Sequence, residues 1–211
     1  MNEMTHPYLH LEPGKINRFA KFVSDVFNPV FGGIFIIGVL MLRILPTVGE
    51  AILWMGITVA LTAIPTLSYV LYLVRVGYLI DIHMPERDKR LKPIVVIVAW
   101  LVISLGILKL IHAPDAMLFM LTAVILQVVV LGIITPLWKI SFHSATIMGV
   151  ATITVLLRSP LMWYVIVLVP LIGWARVRLK RHTVMQVIGG YAAGLIVATI
   201  ALHIIRLYVS L

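Results

Sequence analysis

The chain contains no cysteine, which removes disulfides, a thiol nucleophile, iron–sulfur ligation and thioether haem attachment. Redox chemistry therefore says nothing about its compartment. Acidic residues are scarce as well: there are eight among 211, and the last of them is Asp115. None falls inside a predicted membrane span. A two-metal phosphatase or a magnesium-dependent prenyl transferase needs several convergent carboxylates, and only Asp81, Glu86 and Asp88 lie close together, among neutralising arginines and lysines. The missing intramembrane carboxylates also argue against a proton-coupled transporter. The expected chemistry uses neither a metal nor a cofactor.

What the chain does have is apolar mass. With 62% hydrophobic residues, 12% charged residues and a mean hydropathy of +1.10, it reads as an all-α integral membrane protein. A crossing needs about 20 apolar residues. Seven candidate spans lie near Pro29 to Leu45, Ala51 to Val74, Pro93 to Ile111, Ala116 to Trp138, His143 to Leu157, Leu161 to Trp174, and Thr183 to Tyr208. The fifth and sixth are short, with Arg158-Ser159-Pro160 between them, so a bundle of about six to seven transmembrane helices is expected. Glu3, His6, Pro7 and Glu12 precede any apolar run, which does not read as a cleavable signal peptide. Next, Ile16, Phe19, Val23 and Phe27 recur at helical spacing with Lys15, Arg18 and Lys21 between them. Residues 1–28 are thus expected to be an N-terminal segment with an interfacial amphipathic helix, and residues 29–211 a transmembrane domain.

Polar chemistry returns at three points between spans: Asp81 to Pro93, Lys139 to Ala145, and Ala175 to Gln186. If seven spans alternate, these stretches share one face with 13 of the 17 basic residues, the other four being Arg43, Lys109, Arg158 and Arg206. By the positive-inside rule that face and the N-terminus are cytoplasmic. The formal charge of +9 then meets anionic membrane lipid. Nucleic acid is not an expected partner, because no soluble basic domain carries the charge.

His83, His143 and His182 fall on the same face. His143 and His182 stand at predicted helix starts, where free N–H groups and the dipole favour an anion. One imidazole can attack phosphorus while another protonates the leaving oxygen, and arginine can hold the remaining oxygens in forked hydrogen bonds. This inventory suits phosphoryl transfer from a lipid headgroup. Gly190 and Gly194 form a small-xxx-small pattern that reads as close helix packing.

At these residues the sequence resembles the type 2 phosphatidic acid phosphatase (PAP2) superfamily, membrane phosphatases of lipid phosphates and polyprenyl diphosphates. Its three motifs are a lysine, six residues and Arg-Pro; Pro-Ser-Gly-His; and Ser-Arg, five residues, His, three residues and Asp. Ala175-Arg176, five residues, His182, three residues and Gln186 keep the spacing of the third. Ile140-Ser141-Phe142-His143 keeps the serine and histidine of the second, and the 31 residues between His143 and Ala175 fit one helical hairpin. Lys92-Pro93 stands where Arg-Pro would close the first, with Pro85 in place of its lysine, so Arg87, Lys89 or Arg90 must supply the cation. Arg87 and Arg90 are favoured.

The resemblance covers about Asp81 to Gly194. It implies that His182 is a nucleophile forming a phosphohistidine and His143 the general acid. Arg176, with Arg87 or Arg90 and Lys92, would bind phosphate, and Ser141 would donate a hydrogen bond to it. Gln186 departs from the family's aspartate. Its amide oxygen can accept from the imidazole and fix the tautomer, but supplies no charge, and such a carboxylate can be worth orders of magnitude in rate. The leading expectation is a metal-independent phosphatase of a lipid phosphate or polyprenyl (di)phosphate. The alternative is a catalytically degenerate PAP2-like scaffold serving as a subunit of a membrane complex or as a homo-oligomer. A haem- or pigment-binding subunit is more distant.

Overall fold

The computed structural model describes residues 14–84 and 86–208. Glu3, His6, Pro7, Glu12 and Pro85 lie outside the described residues, which are helical and contain no strand. Helix α1 (Lys15–Val26) leads into α2 (Pro29–Ile44), and α3 (Val48–Thr58) continues through a π-helical turn at Val59–Ala63 into α4 (Ile64–Arg75). Then follow α5 (Leu91–Leu110), α6 (Asp115–Ile134), α7 (Phe142–Leu156), α8 (Met162–Arg178) and α9 (Val184–Tyr208). Every apolar run read as a span is therefore a helix. Starts are set by local chemistry: Asn28 Oδ1 accepts from the N–H groups of Val30 and Phe31 at 3.0 and 3.2 Å, with Pro29 pre-shaped for the first turn.

Among the described residues four helices are long and apolar enough to cross a membrane: Val48–Arg75, Arg87–Leu110, Asp115–Ile134 and Val184–Ile204; the expected six to seven are not all matched by length and composition. The pair α1 and α2, bent by 50° where they join, makes a fifth candidate. The chain is an integral membrane protein by this measure. α7 has 15 residues, about 22 Å at 1.5 Å per residue, against roughly 30 Å of hydrocarbon. It is enclosed by protein instead, packed on α2, α8 and α9 with His143, Ser144, Ala145 and the whole run from Gly149 to Thr154 buried.

Two features hold this bundle in register. A Cβ on Gly190 would lie 2.6 Å from the Ser141 carbonyl, and one on Gly194 would collide with the carbonyl of Ala145, so only glycine lets α9 approach α7 this closely. The second is Pro65, which has no N–H for the carbonyl of Leu61 four residues earlier. That carbonyl accepts instead from Trp100 Nε1 at 2.8 Å and Ser104 Oγ at 2.9 Å on α5, which satisfies it in a medium without water.

The amphipathic stripe of α1 divides. Ala20, Val23 and Ser24 are buried, α1 packs on α8, and the Phe19 and Trp174 rings meet with centroids 6.1 Å apart. Ile16, Phe19 and Phe22 point outward and are at least half exposed. The face with Val23 and Ser24 therefore belongs to the bundle.

Candidate functional site

The third polar stretch folds around the end of α8. Lys180 adopts a left-handed φ of 53°, and the N–H groups of Arg181 and His182 turn back to the Arg176 carbonyl at 3.1 and 3.3 Å. This helix-ending turn brings His182 beside the residue six positions before it. α9 then starts from a capping box: Thr183 Oγ1 accepts from Gln186 N at 3.3 Å, and Gln186 Oε1 accepts from Thr183 N at 3.2 Å. The second bond identifies the inward atom of the Gln186 amide as its oxygen.

That oxygen also lies 3.2 Å from His182 Nδ1, and the Lys139 carbonyl lies 3.2 Å from the same nitrogen. Both neighbours can only accept, so Nδ1 carries the hydrogen and Nε2 keeps its lone pair. His182 is 6% exposed. Burial first, and then the charges of Arg176, Arg90 and Lys139, hold its pKa well below the ordinary histidine value, against the opposing hydrogen bond to Gln186.

The second stretch joins at the start of α7. Ser141 Oγ caps the helix by accepting from Ser144 N at 3.3 Å and from Ser144 Oγ at 2.9 Å. Its own N–H donates to the Gln186 carbonyl at 3.3 Å, which links the second and third stretches. His143 is buried, its Nε2 3.2 Å from the Ser24 carbonyl, and its ring stacks on His83 with centroids 5.4 Å apart and planes 26° from parallel.

From the first stretch, Arg90 turns inward. It is 4% exposed, and its Nε donates to the Met84 carbonyl at 2.6 Å and its Nη1 to the Ile140 carbonyl at 3.4 Å. Arg87 and Lys92 remain at the surface, Arg87 paired with Asp88 at 3.1 Å and Lys92 above the Tyr78 ring at 5.4 Å. Of the two arginines favoured from the sequence, the structure thus brings Arg90 to the cluster and leaves Arg87 outside it.

Arg176 is buried near the end of α8. Nη1 donates to Ser24 Oγ at 2.6 Å, while Nε is buried without a hydrogen-bond partner. Ser24 and Asp25, which the sequence did not mark out, complete the surroundings together with His83 and Asp81 from the first stretch. Asp25 Oδ1 lies 3.3 Å from His83 Nε2, and Asp81 lies 3.6 Å from His83 Nδ1 and 2.7 Å from Arg181. Burial would raise the Asp81 pKa, but the hydrogen bonds from His83 and the charge of Arg181 outweigh it and hold the carboxyl well below the usual range. Among the described residues no three His, Asp or Glu side chains converge as a metal site requires. The signal for Ser24 was the spacing Ala20, Val23, Ser24, Phe27, a second stripe on α1. That for His83 was its place among acidic residues in a polar loop.

Two histidines, two arginines and a capping serine from three separated stretches thus meet on one side of the bundle, suited to holding an anion between cations and a lone-pair nitrogen. No curated protein and no solved structure matches the chain. The model of the PAP2 superfamily matches residues 135–209. This match overlaps the sequence resemblance over residues 135–194 and leaves the first polar stretch outside it; with Ser141, His143, Arg176, His182 and Gln186 inside the overlap, the chain is consistent with a PAP2 superfamily member bearing a phosphatase-like scaffold.

Proposed function

We propose that the chain is a membrane phosphatase that cleaves a lipid phosphate or polyprenyl (di)phosphate through a phosphohistidine at His182. The observation that carries this reading is the fixed tautomer of His182, whose Nδ1 faces two acceptors at 3.2 Å and whose Nε2 lone pair is left for attack. Nε2 bonds to phosphorus as the bond from phosphorus to the leaving oxygen breaks, and His143 gives that oxygen its proton. Water then attacks the phosphohistidine, His143 takes a proton from it, and orthophosphate leaves with both electrons of the P–N bond returning to Nε2. Arg176 and Arg90 neutralise the equatorial oxygens, and Ser141 Oγ, whose own hydrogen is not committed by the two bonds it accepts, donates to one of them. Gln186 orients the imidazole without charging it.

The headgroup would enter from the face that carries the three polar stretches, which basic-residue bias makes cytoplasmic. Residues 29–211 form the membrane domain in this reading, with residues 1–28 leading into it. An apolar hollow between α2, α6, α7 and α9, lined by Ile36, Met120, Val124, Thr146 and Ile153, reaches Phe142 beside His143 and would take the hydrocarbon tail. The test is phosphate release by detergent-purified protein from phosphatidate and from a polyprenyl diphosphate, each with and without EDTA, beside His182→Ala. Release that survives EDTA and disappears in the folded mutant is expected. Equal rates in mutant and wild type would reject His182 as nucleophile.

A further inference from the structure

We propose that α1 is a lid on this site, and that the structure is its closed form, with Ser24 seated where the substrate's phosphoryl group binds. The inference rests on the phosphatase reading for what is excluded, but on geometry for the closure itself. One turn of α1 touches two members of the cluster and the His83 ring stacked beside it. Ser24 Oγ accepts from Arg176 at 2.6 Å, the Ser24 carbonyl lies 3.2 Å from His143 Nε2, and Asp25 lies 3.3 Å from His83. An acceptor facing Arg176 and a second facing His143 are the two oxygens a bound phosphate ester would present, one held by the guanidinium and one receiving the acid's proton.

Ser24 fills that role incompletely. A guanidinium built for phosphate uses two N–H groups in a fork. Here the hydroxyl engages one, and Arg176 Nε is buried with no partner. A buried donor left unmet is destabilising, so the closed contact is weaker than what an anion would make. Arg176 and His143 are 2% and 5% exposed, each with an atom of Ser24 against it, so no headgroup reaches them while α1 stays in place.

The fold also provides a way to open. α1 and α2 meet at a 50° bend, and Asn28 caps α2 through Oδ1 while its Nδ2 donates to the Asp25 carbonyl at 3.1 Å. Parting α1 breaks the second bond and leaves the cap of α2 intact. Ala20 and Val23 are the buried apolar residues of α1, and opening parts them from the α8 side of the core, while Ile16, Phe19 and Phe22 already face outward and remain free to lie on lipid.

The absence of native cysteine makes the test direct. In the full chain, Phe19→Cys with Trp174→Cys places thiols behind the two facing rings, away from the reacting groups, at a separation that a bis-maleimide can bridge. In phosphatidate-containing vesicles the joined protein should lose hydrolysis by more than about tenfold, whereas the same reagent on either single-cysteine variant should leave it unchanged. Joined protein as fast as unjoined protein would overturn the lid. A second measurement needs no turnover: N-ethylmaleimide should label Val23→Cys, on the buried face of α1, more than about tenfold faster than Ile172→Cys, buried within α8. Equal, slow labelling overturns the lid even if the enzyme is active, whereas fast labelling without hydrolysis by wild type keeps the lid and rejects the phosphatase reading.

Discussion

Replacing Gln186 by glutamate is the sharpest probe of the His182 geometry. The side chains are nearly identical in shape, so the oxygen stays about 3.2 Å from Nδ1, and glutamate three residues after the capping threonine is the preferred partner in a capping box. The change adds one negative charge beside an imidazole that becomes positive as Nε2 attacks phosphorus. At that separation the attraction is about 5 kcal/mol for an effective dielectric constant of about 20. Desolvating the new carboxylate takes back several kcal/mol, although Arg176, Arg90 and Lys139 all bear on His182 and offset part of that cost. A net of about 1–3 kcal/mol at the transition state raises kcat by about 10 to 100-fold. The shorter Gln186→Asp should gain less, because its oxygen falls about one methylene short. The assay is single-turnover phosphate release at saturating phosphatidate, with thermal melts as a control for folding. A stable Gln186→Glu protein whose kcat is unchanged or lower would refute the assignment of Gln186 as the orienting group of a nucleophilic His182.

Three further outcomes follow from other parts of the fold. Lys180→Gly should raise thermal stability by about 1 kcal/mol, because glycine adopts the left-handed φ of 53° without steric cost, and should leave phosphate release unchanged; a lower melting temperature would show that the turn is not strained. Gly194→Ala places a methyl against the Ala145 carbonyl, and forcing α9 from α7 should cost about 1–3 kcal/mol and slow hydrolysis, since His143 and His182 ride on those helices; wild-type melting and rate would contradict that packing. The depressed pKa of His182 means that the folded state binds fewer protons than the unfolded one below the ordinary value near 6.5, so stability should fall as pH drops below about 6.5. Asp81, also depressed, adds a loss below about pH 4. Burial also drives the His143 pKa well below the ordinary value, so melts in detergent from pH 8 to pH 3 should show both declines and His182→Gln should lessen the first while leaving the His143 share; a melting temperature constant from pH 7 to pH 5 would be the contrary result.

The helices were legible because each is an uninterrupted apolar run between polar breaks, and the pairing of Arg176 with His182 was legible because their spacing bridges one helix-ending turn. Span number was less so, since α7 is short for a bilayer yet enclosed by neighbours, a property of packing rather than of its own residues. Arg87 and Arg90 could not be told apart by a spacing of three, because nothing in the sequence shows which of them finds inward partners. The 3₁₀ turn spans Arg87–Lys89 and ends before Arg90, whose guanidinium is drawn in by the Met84 and Ile140 carbonyls while Arg87 pairs with Asp88 at the surface. The motif Thr183-Val184-Met185-Gln186 carries a capping signature that explains the placement of the Gln186 oxygen as well as any catalytic motif does. Ser24 was hidden because one seryl hydroxyl in a basic amphipathic helix has no sequence mark of what it will touch.

The bond pair that Leu61 receives from α5 has a mechanical consequence for the far end of that helix. Ser104 lies 14 residues beyond Arg90, about 21 Å along the helix axis, yet its anchor and that of Trp100 pin α5 to the π-helical turn that leads into α4, below the loop that carries His83 and Arg90. That loop is thus a span of chain tethered at both feet, and its freedom to follow a departing headgroup is set deep in the bilayer. Evolution could retune turnover from position 104, a site no substrate touches.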